Sequence, residues 1–179
     1  MIETERLFIR PWRETDRAPF AQMGQDPEVM AHLGPLWDEA ECAAMIERQQ
    51  HWQRNLGHCF WAIERRADGA FLGFCGIKPG PPSTPIDCLP EIGWRLGRSH
   101  WGKGYAREAA LACLAWAWAS SPWRAIYALT TPGNIRSWGL MERLGMARRD
   151  DLAFEDRRFP EGDPRRATIT YVIHRPEGR

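Results

Sequence analysis

Residues 91–119 are the part of the sequence that most constrains the fold, because a strand pattern, a glycine-rich turn and a long helix pattern follow one another there. The first six residues alternate strictly between apolar residues and residues that are polar or glycine, which predicts a strand with one buried face. From about Tyr105 to Ala119 the sequence is apolar on nearly all sides after its first turn, which predicts a buried helix. We therefore expect a sheet packed against this helix at the centre of the fold.

The turn between that strand and that helix contains Gly102, Gly104 and the small Ala106. Backbone N–H groups at the start of a helix lack helical partners and lie at the positive end of the helix dipole, so the turn suits a phosphate group. It is not a Walker A loop, because Gly104 stands where that motif needs Ser or Thr. Nor is it a dinucleotide fingerprint, which needs a third glycine at a set offset. The turn predicts another phosphorylated cofactor, unless the glycines only form a tight turn.

Strand and helix patterns are mixed along the rest of the chain, which predicts the α/β or α+β class around one sheet. Asp68-Gly69 between two apolar runs predicts a hairpin, and Gly93 inside its strand predicts a bulge or the close approach of another group. Because no linker or internal repeat divides the chain, we expect a single domain over residues 1–179. Further strands are predicted near residues 7–11, 59–63, 71–77, 125–130 and 168–173, and further helices near residues 16–24, 38–55 and 135–144.

Charge and composition exclude several function classes. Lys and Arg total 24 against 23 Asp and Glu, a balance that disfavours nucleic-acid binding, and the Arg-rich run over residues 148–166 holds as many acids as Arg, which is typical of a solvated face. The chain is charged from Glu3 onward, and its longest apolar run, residues 109–119, is far below the ~20 residues that span a bilayer, so we expect no secretory signal and no membrane partner. The five cysteines have no metal-ligand spacing, so we expect reduced thiols in a cytoplasmic protein and no metal site.

Residues 91–109 resemble the acetyl-coenzyme A (acetyl-CoA) binding motif of the GCN5-related N-acetyltransferase (GNAT) family. The motif Trp101-Gly-Lys-Gly-Tyr-Ala106, followed by Glu108-Ala109, resembles the corresponding motif in the RimJ/RimL-like branch, the ribosomal-protein N-terminal acetyltransferases. The resemblance extends in order over residues 5–173, and it implies a GNAT-type domain with a mostly antiparallel sheet, splayed central strands and flanking helices. The other stretches that fit this branch are residues 5–11, 26–30 and 134–146.

The same resemblance implies acetyl-CoA as co-substrate and indicates which residues bind it. The first loop position usually carries Gln or Arg, and Trp101 in its place removes a polar side chain but leaves the backbone donors. The strand before the loop would pair with the pantetheine amides, one backbone N–H would polarise the thioester carbonyl, and Lys103 would face the phosphates. The cofactor-binding residues expected in this way are Trp94, Arg95, Leu96, Trp101, Gly102, Lys103, Gly104, Tyr105, Ala106, Asn134 and Ser137.

The chemistry implied is direct attack of a primary amine on the thioester in a ternary complex. Many relatives use a Tyr as acid seven positions after the motif's Asn, but that position is Met141 here, so Ser137 is the nearest hydroxyl candidate. Its alternative role is a hydrogen bond to local backbone or to the cofactor. Glu91 is the candidate base, acting through water at the edge of the acceptor cleft. Its alternative role is a cross-strand ion pair, for which Arg95 is a candidate partner.

The acceptor amine stays open between a protein N-terminus and a small molecule such as an amino acid, a polyamine or an aminoglycoside. The acids at residues 38–41 have the pattern of helix N-terminal charges rather than of a polycation-binding cleft. Trp12 and Trp37 precede helices expected to frame this cleft, which hints at an apolar or flat acceptor. A function from a different class, a non-catalytic acyl-CoA-binding module, is the alternative, and a homodimer also stays open.

Overall fold

A mixed sheet of eight strands forms the centre of the molecule, and the computed structural model describes residues 1–177. The strands are β1 (Ile2–Glu3), β2 (Leu7–Arg10), β3 (Phe60–Arg65), β4 (Phe71–Pro79), β5 (Pro90–Leu96), β6 (Ala125–Thr130), β7 (Ala147–Glu155) and β8 (Ala167–His174). The α-helices are α1 (Arg17–Gly24), α2 (Pro27–Met30), α3 (Glu39–Leu56), α4 (Tyr105–Ser120) and α5 (Ile135–Arg143), and short 3-10 helices cover Glu14–Asp16 and Arg98–His100.

The strand order is β1-β2-β3-β4-β5-β6-β8-β7, and every neighbouring pair is antiparallel except β5 and β6. These two parallel strands are joined through α4, as a parallel connection requires a crossover. They pair at one position only, Glu91 with Tyr127, and then separate. The mostly antiparallel sheet with splayed central strands is confirmed.

Each face of the sheet carries its own hydrophobic core. Strand β3 shows why: Trp61 and Ile63 point to the core that contains α4, whereas Phe60 and Ala62 point to the core that contains α1 and α3. Helix α3 begins at the N-cap Asp38, whose carboxylate accepts from the Glu41 N–H at 2.8 Å. The acids before and within its first turn therefore have the helix-capping role that their spacing predicts.

Helix α4 is buried along one face rather than on nearly all sides. Ala109, Cys113 and Ala117 are buried against the sheet, but Leu111 is 40% exposed. The prediction of all-round burial is wrong because the sheet covers only one side of the helix. No helix within residues 1–177 is both long and apolar enough to cross a membrane.

The predicted hairpin around Asp68-Gly69 is confirmed by the antiparallel pairing of β3 with β4. The predicted bulge at Gly93 is wrong, because β4 and β5 pair without a register shift along their whole length. The alternative prediction for Gly93, the close approach of another group, is confirmed, because a Cβ on Gly93 would lie 2.6 Å from Cζ of Phe60. The glycine thus lets an aromatic ring lie flat on the strand.

Candidate functional site

A cavity of about 2110 Å³ lies where β5 and β6 separate. Ligand pockets commonly measure roughly 300–1,000 Å³, so this one has room for two substrates side by side. One half, called the cofactor half because it contains the predicted cofactor-binding segments, is lined by the ends of β5 and β6, the glycine turn before α4 and the start of α5. The other half, called the acceptor half, is lined by α2, the loop after β4 and the segment between β7 and β8.

The edge of β5 that faces this gap carries backbone groups that β4 does not use. Gly97 donates from its N–H to the Leu72 carbonyl at 2.9 Å, and pairing alternates along an antiparallel ladder. The backbone groups of Trp94 and Leu96 therefore point into the gap. Trp101 closes the end of the strand, since its Nε1–H donates to the Leu96 carbonyl at 2.8 Å. The unusual Trp at the first loop position thus satisfies an acceptor at the strand end.

The same alternation places Arg95, which the resemblance assigns to the cofactor, away from the gap. Its backbone belongs to a hydrogen-bonded pair with Phe74 of β4 and is not available to the gap. Its side chain lies on the opposite face of the sheet from Leu96, over the ring of Trp37. Arg95 therefore lines the other half of the cavity.

The glycine turn has the conformation that a phosphate-binding loop needs. Gly102 (φ 73°) and Gly104 (φ 81°) are both left-handed, and Gly104 is the N-cap of α4. The N–H groups at the start of α4 have no helical partners and border the cavity, since Tyr105 and Ala106 line it. Lys103 does not line it and is exposed, so the structure does not bring this side chain to the predicted phosphate site.

Arg6, in the N-terminal segment, contacts this turn and stabilises it. The sequence did not identify this residue as part of the site. Its guanidinium forms a 2.6 Å salt bridge with Glu108, donates to the Lys103 carbonyl at 3.0 Å and lies 4.7 Å from the Tyr105 ring centroid. Burial on its own raises the pKa of Glu108, but the hydrogen bonds from Thr4 and Arg6 together hold it below its ordinary value. Glu108 therefore ties the N-terminal segment to α4 as a carboxylate.

The start of α5 forms the other wall of the gap. Asn134 caps the helix by accepting from the Ser137 N–H at 3.3 Å, and both residues line the cavity. Arg136 stacks over the Trp101 ring at 4.6 Å and so connects α5 with the turn. Thr131, just after β6, lines the cavity with a buried hydroxyl that has no hydrogen-bond partner within residues 1–177. No sequence signal marks Thr131 or Arg136.

Glu91 lies at the point where β5 and β6 still pair, and its carboxylate borders the cavity. The ion pair considered from the sequence exists, but its partner is Lys78, directly opposite on β4, rather than Arg95. Burial raises the pKa of Glu91 above its ordinary value, and nearby Lys78 and Arg158 offset only part of that effect. A carboxylate in this environment accepts a proton more readily than an exposed one.

The structure thus brings Glu91, Trp94, Leu96, Trp101, Gly102, Gly104, Tyr105, Ala106, Asn134 and Ser137 around one cavity. It separates Arg95 and Lys103 from the cofactor half. Met141 is buried at the α5 position where relatives carry the Tyr. The roles of all these residues stay predictions.

Comparisons with known proteins agree with this architecture. A family model of the acetyltransferase (GNAT) domain matches residues 6–147. The chain is 34% identical over 146 residues to the uncharacterized protein YkkB of Bacillus subtilis, covering 81% of this chain and 84% of that protein. It is 30% identical over 146 residues to the uncharacterized N-acetyltransferase p20 of Bacillus licheniformis, covering 80% of each.

Solved structures share the whole fold. An acetyltransferase from Agrobacterium tumefaciens has a TM-score of 0.78 at 27% identity, covering 97% of this chain and 93% of that one. RimL, a ribosomal L7/L12 alpha-N-protein acetyltransferase in complex with coenzyme A, has a TM-score of 0.74 at 13% identity, covering 96% and 95%. A spermidine N-acetyltransferase from Vibrio cholerae in complex with CoA and spermine has a TM-score of 0.73 at 16% identity, covering 96% and 97%.

Proposed function

The chain belongs to the GNAT acetyltransferase family, and we propose that it transfers the acetyl group of acetyl-CoA to a primary amine by direct attack in a ternary complex. The observation that carries the proposal is the gap between β5 and β6, with free backbone groups along one wall and a helix N-terminus at its end. The cavity's volume of about 2110 Å³ supports a complex that holds both substrates at once.

The residues of the cofactor half suit acetyl-CoA in chemical type. The left-handed glycines and the first turn of α4 offer backbone donors to a pyrophosphate, and Arg136 adds positive charge near them. The backbone groups of Trp94 and the N–H of Leu96 suit the pantetheine amides, and the Thr131 hydroxyl is a further polar group without a protein partner within residues 1–177. A CoA complex of RimL and one of the spermidine N-acetyltransferase add support by analogy of fold.

The proposed reaction forms one bond and breaks one bond. The amine nitrogen bonds to the thioester carbonyl carbon, the carbon–sulfur bond breaks, and the sulfur leaves with the bonding electron pair. Glu91 takes the amine proton through water, since its raised pKa makes it a better base than an exposed Glu. Ser137 donates a hydrogen bond to the leaving sulfur, which then takes up a proton from solvent to give the thiol of CoA, and Glu91 releases the amine proton to solvent.

Ser137→Ala is expected to lower kcat about tenfold while the Kd of acetyl-CoA changes little. The reason is that one hydrogen bond of about 1.4 kcal/mol to the leaving sulfur forms only as the bond breaks. Steady-state kinetics and a binding titration measure the two quantities. Ser120→Ala, at the exposed end of α4, is the control. An unchanged kcat in Ser137→Ala would remove this residue from the mechanism.

Acetyl-CoA at 100 times its Kd is expected to raise the free energy of unfolding by about 2.7 kcal/mol, because it binds only the folded chain. Thermal unfolding with and without millimolar acetyl-CoA measures this, and free adenine serves as the control ligand. An acceptor screen that follows CoA release then tests turnover. Stabilisation without CoA release across a broad amine panel would instead favour the non-catalytic acyl-CoA-binding module, whereas no stabilisation would contradict both functions.

The cysteines bear on where the chain acts. All five are free thiols, and four of them are buried. Free thiols persist in reducing compartments, which supports the proposal of a cytoplasmic enzyme.

A further inference from the structure

Arg95, on the acceptor side of the cavity, is a cation that has no counter-ion among residues 1–177. Its Nη1 contacts the Met30 sulfur at 3.4 Å, and its buried Nε has no hydrogen-bond partner within residues 1–177. The guanidinium carbon lies 4.4 Å from the Trp37 ring centroid and 5.4 Å from that of Phe74. The aromatic rings stabilise the charge in part, but they do not satisfy its N–H groups.

The groups around Arg95 do not neutralise it. Burial lowers its pKa to about 10, so it stays charged at neutral pH. The neighbouring Cys42 thiol is buried, and burial holds its pKa above the ordinary value although Arg95 lowers it, so the thiol stays neutral. A partly buried cation with unused donors is costly unless an anion reaches it.

The acids that line the cavity are already paired. Each of the four acidic side chains there forms a salt bridge with an Arg or Lys, so none is free to attract a polycation. The pairs are Glu28 with Arg98, Glu91 with Lys78, Glu155 with Arg166 and Asp156 with Arg158. The charge left over on this side is therefore positive, and Arg95 contributes to it.

Arg95 shares its strand face with the proposed base. Glu91, Gly93 and Arg95 alternate along β5, and both charged residues line the cavity. Four residues of extended strand measure about 13 Å, and the water at Glu91 together with the Arg95 side chain covers part of that length, so an acceptor shorter than about 13 Å can contact both. Phe60 and Phe74 stack between them at 5.3 Å and offer an apolar surface to the middle of that molecule.

We propose that Arg95 binds a carboxylate of the acceptor, so that the substrate is a primary amine that also carries a carboxylate, an amino-acid type of molecule. The inference rests on the proposed function and narrows its acceptor. The planar guanidinium donates in the geometry that a carboxylate accepts, and the flanking rings of Trp37 and Phe74 hold it in place. A polyamine finds no unpaired acid on this cavity and meets an uncompensated cation.

The test measures kcat/KM by CoA release with matched acceptors. Glycine, β-alanine, γ-aminobutyrate and phenylalanine are each compared with their primary amides, which keep the amine and remove the negative charge. We expect at least one acid to exceed its amide by about tenfold or more, as a charge-assisted hydrogen bond implies. Spermidine is included to test a polycationic acceptor, and aminomethylphosphonate is included to test an acceptor that carries a phosphonate in place of the carboxylate.

The variants separate Arg95 from general charge effects. Arg95→Met is expected to bring the ratio of kcat/KM for acid and amide near unity. Arg95→Lys is expected to give an intermediate ratio, because lysine keeps the positive charge but cannot donate two parallel hydrogen bonds to a carboxylate. Arg149→Met, at a half-exposed position of β7 that does not line the cavity, removes one positive charge and is expected to leave the ratio unchanged. Calorimetric binding of N-acetyl-γ-aminobutyrate, which needs no turnover, is expected for the wild type and lost in Arg95→Met.

The outcomes distinguish this inference from the proposed function. CoA release with equal rates for acids and amides, or with a preference for spermidine or for the phosphonate, overturns the carboxylate site and leaves acetyl transfer standing. Binding of the N-acetyl acid that depends on Arg95, without CoA release from any amine, supports the site and contradicts the proposed turnover. No CoA release and no binding of the N-acetyl acid contradict both.

Discussion

Replacing Glu91 with Gln is expected to lower kcat by about 10³-fold, because a positioned base contributes about 10²–10⁴-fold. The pH dependence is the sharper readout. The base acts when deprotonated, so kcat of the wild type rises with pH through the pKa of Glu91, which burial raises above its ordinary value. The wild type therefore loses kcat toward low pH, which is the acidic limb of its pH profile. The Gln variant has no group to deprotonate at that position, so its profile lacks the acidic limb.

Two further variants make the result specific. Glu64→Gln is a matched control, because Glu64 is also an ion-paired carboxylate with little exposure, 15% against 12% for Glu91, but it pairs with Arg10 away from the cavity. Its pH profile is expected to keep the acidic limb. Lys78→Met removes a cation that lowers the pKa of Glu91, so its acidic limb moves to higher pH. An unchanged pH profile in Glu91→Gln would exclude the base role.

Replacing Gly104 with Val is expected to raise the Kd of acetyl-CoA by about 10²-fold. The backbone there has φ 81°, which a β-branched residue adopts only with strain of about 1–2 kcal/mol, and the new Cβ would lie 3.3 Å from Nη2 of Arg6. Relief of that strain turns the N–H groups of the loop away from the phosphates. Loss of one hydrogen bond to a charged group costs about 1.5–3 kcal/mol, which sets the size of the effect.

Gly57→Val is the matched control for backbone strain. Gly57 has φ 77° at the end of α3, and a Cβ there has no neighbour within 4 Å. Both variants are expected to lose similar thermal stability, but only Gly104→Val weakens acetyl-CoA binding. Equal Kd values for acetyl-CoA in the wild type and Gly104→Val would show that the turn does not bind the phosphates.

Local patterns predicted most of the elements that build the cofactor half. The alternation in β5, the glycines before α4 and the helix pattern near residues 135–144 each depend on residues within a few positions of one another, so periodicity and turn chemistry were sufficient. Strand β7 was missed, because its charged and mostly exposed residues resemble a solvated segment. It is a strand because β8 supplies its hydrogen bonds at the edge of the sheet.

Partner choice across the sheet could not be predicted in the same way. The sequence offers Arg95 as a candidate ion-pair partner of Glu91, but the register of β4 against β5 places Lys78 opposite it. The contacts of Arg6 with Glu108 and of Arg95 with Trp37 join residues that lie far apart in the chain. Such contacts depend on register and helix packing, which single-residue patterns do not encode.

The sequence by itself determined that a strand, a glycine-rich turn and a helix follow one another over residues 91–119, because those conformations arise from local sterics and hydrogen bonding. Only the tertiary structure decided that β5 and β6 keep a single paired position, Glu91 with Tyr127, and that Arg95 faces the acceptor half without a counter-ion among residues 1–177. The physical reason is that the site lies between elements: its shape and charge come from how strands register and helices pack, and each residue contributes to them only through partners distant in sequence.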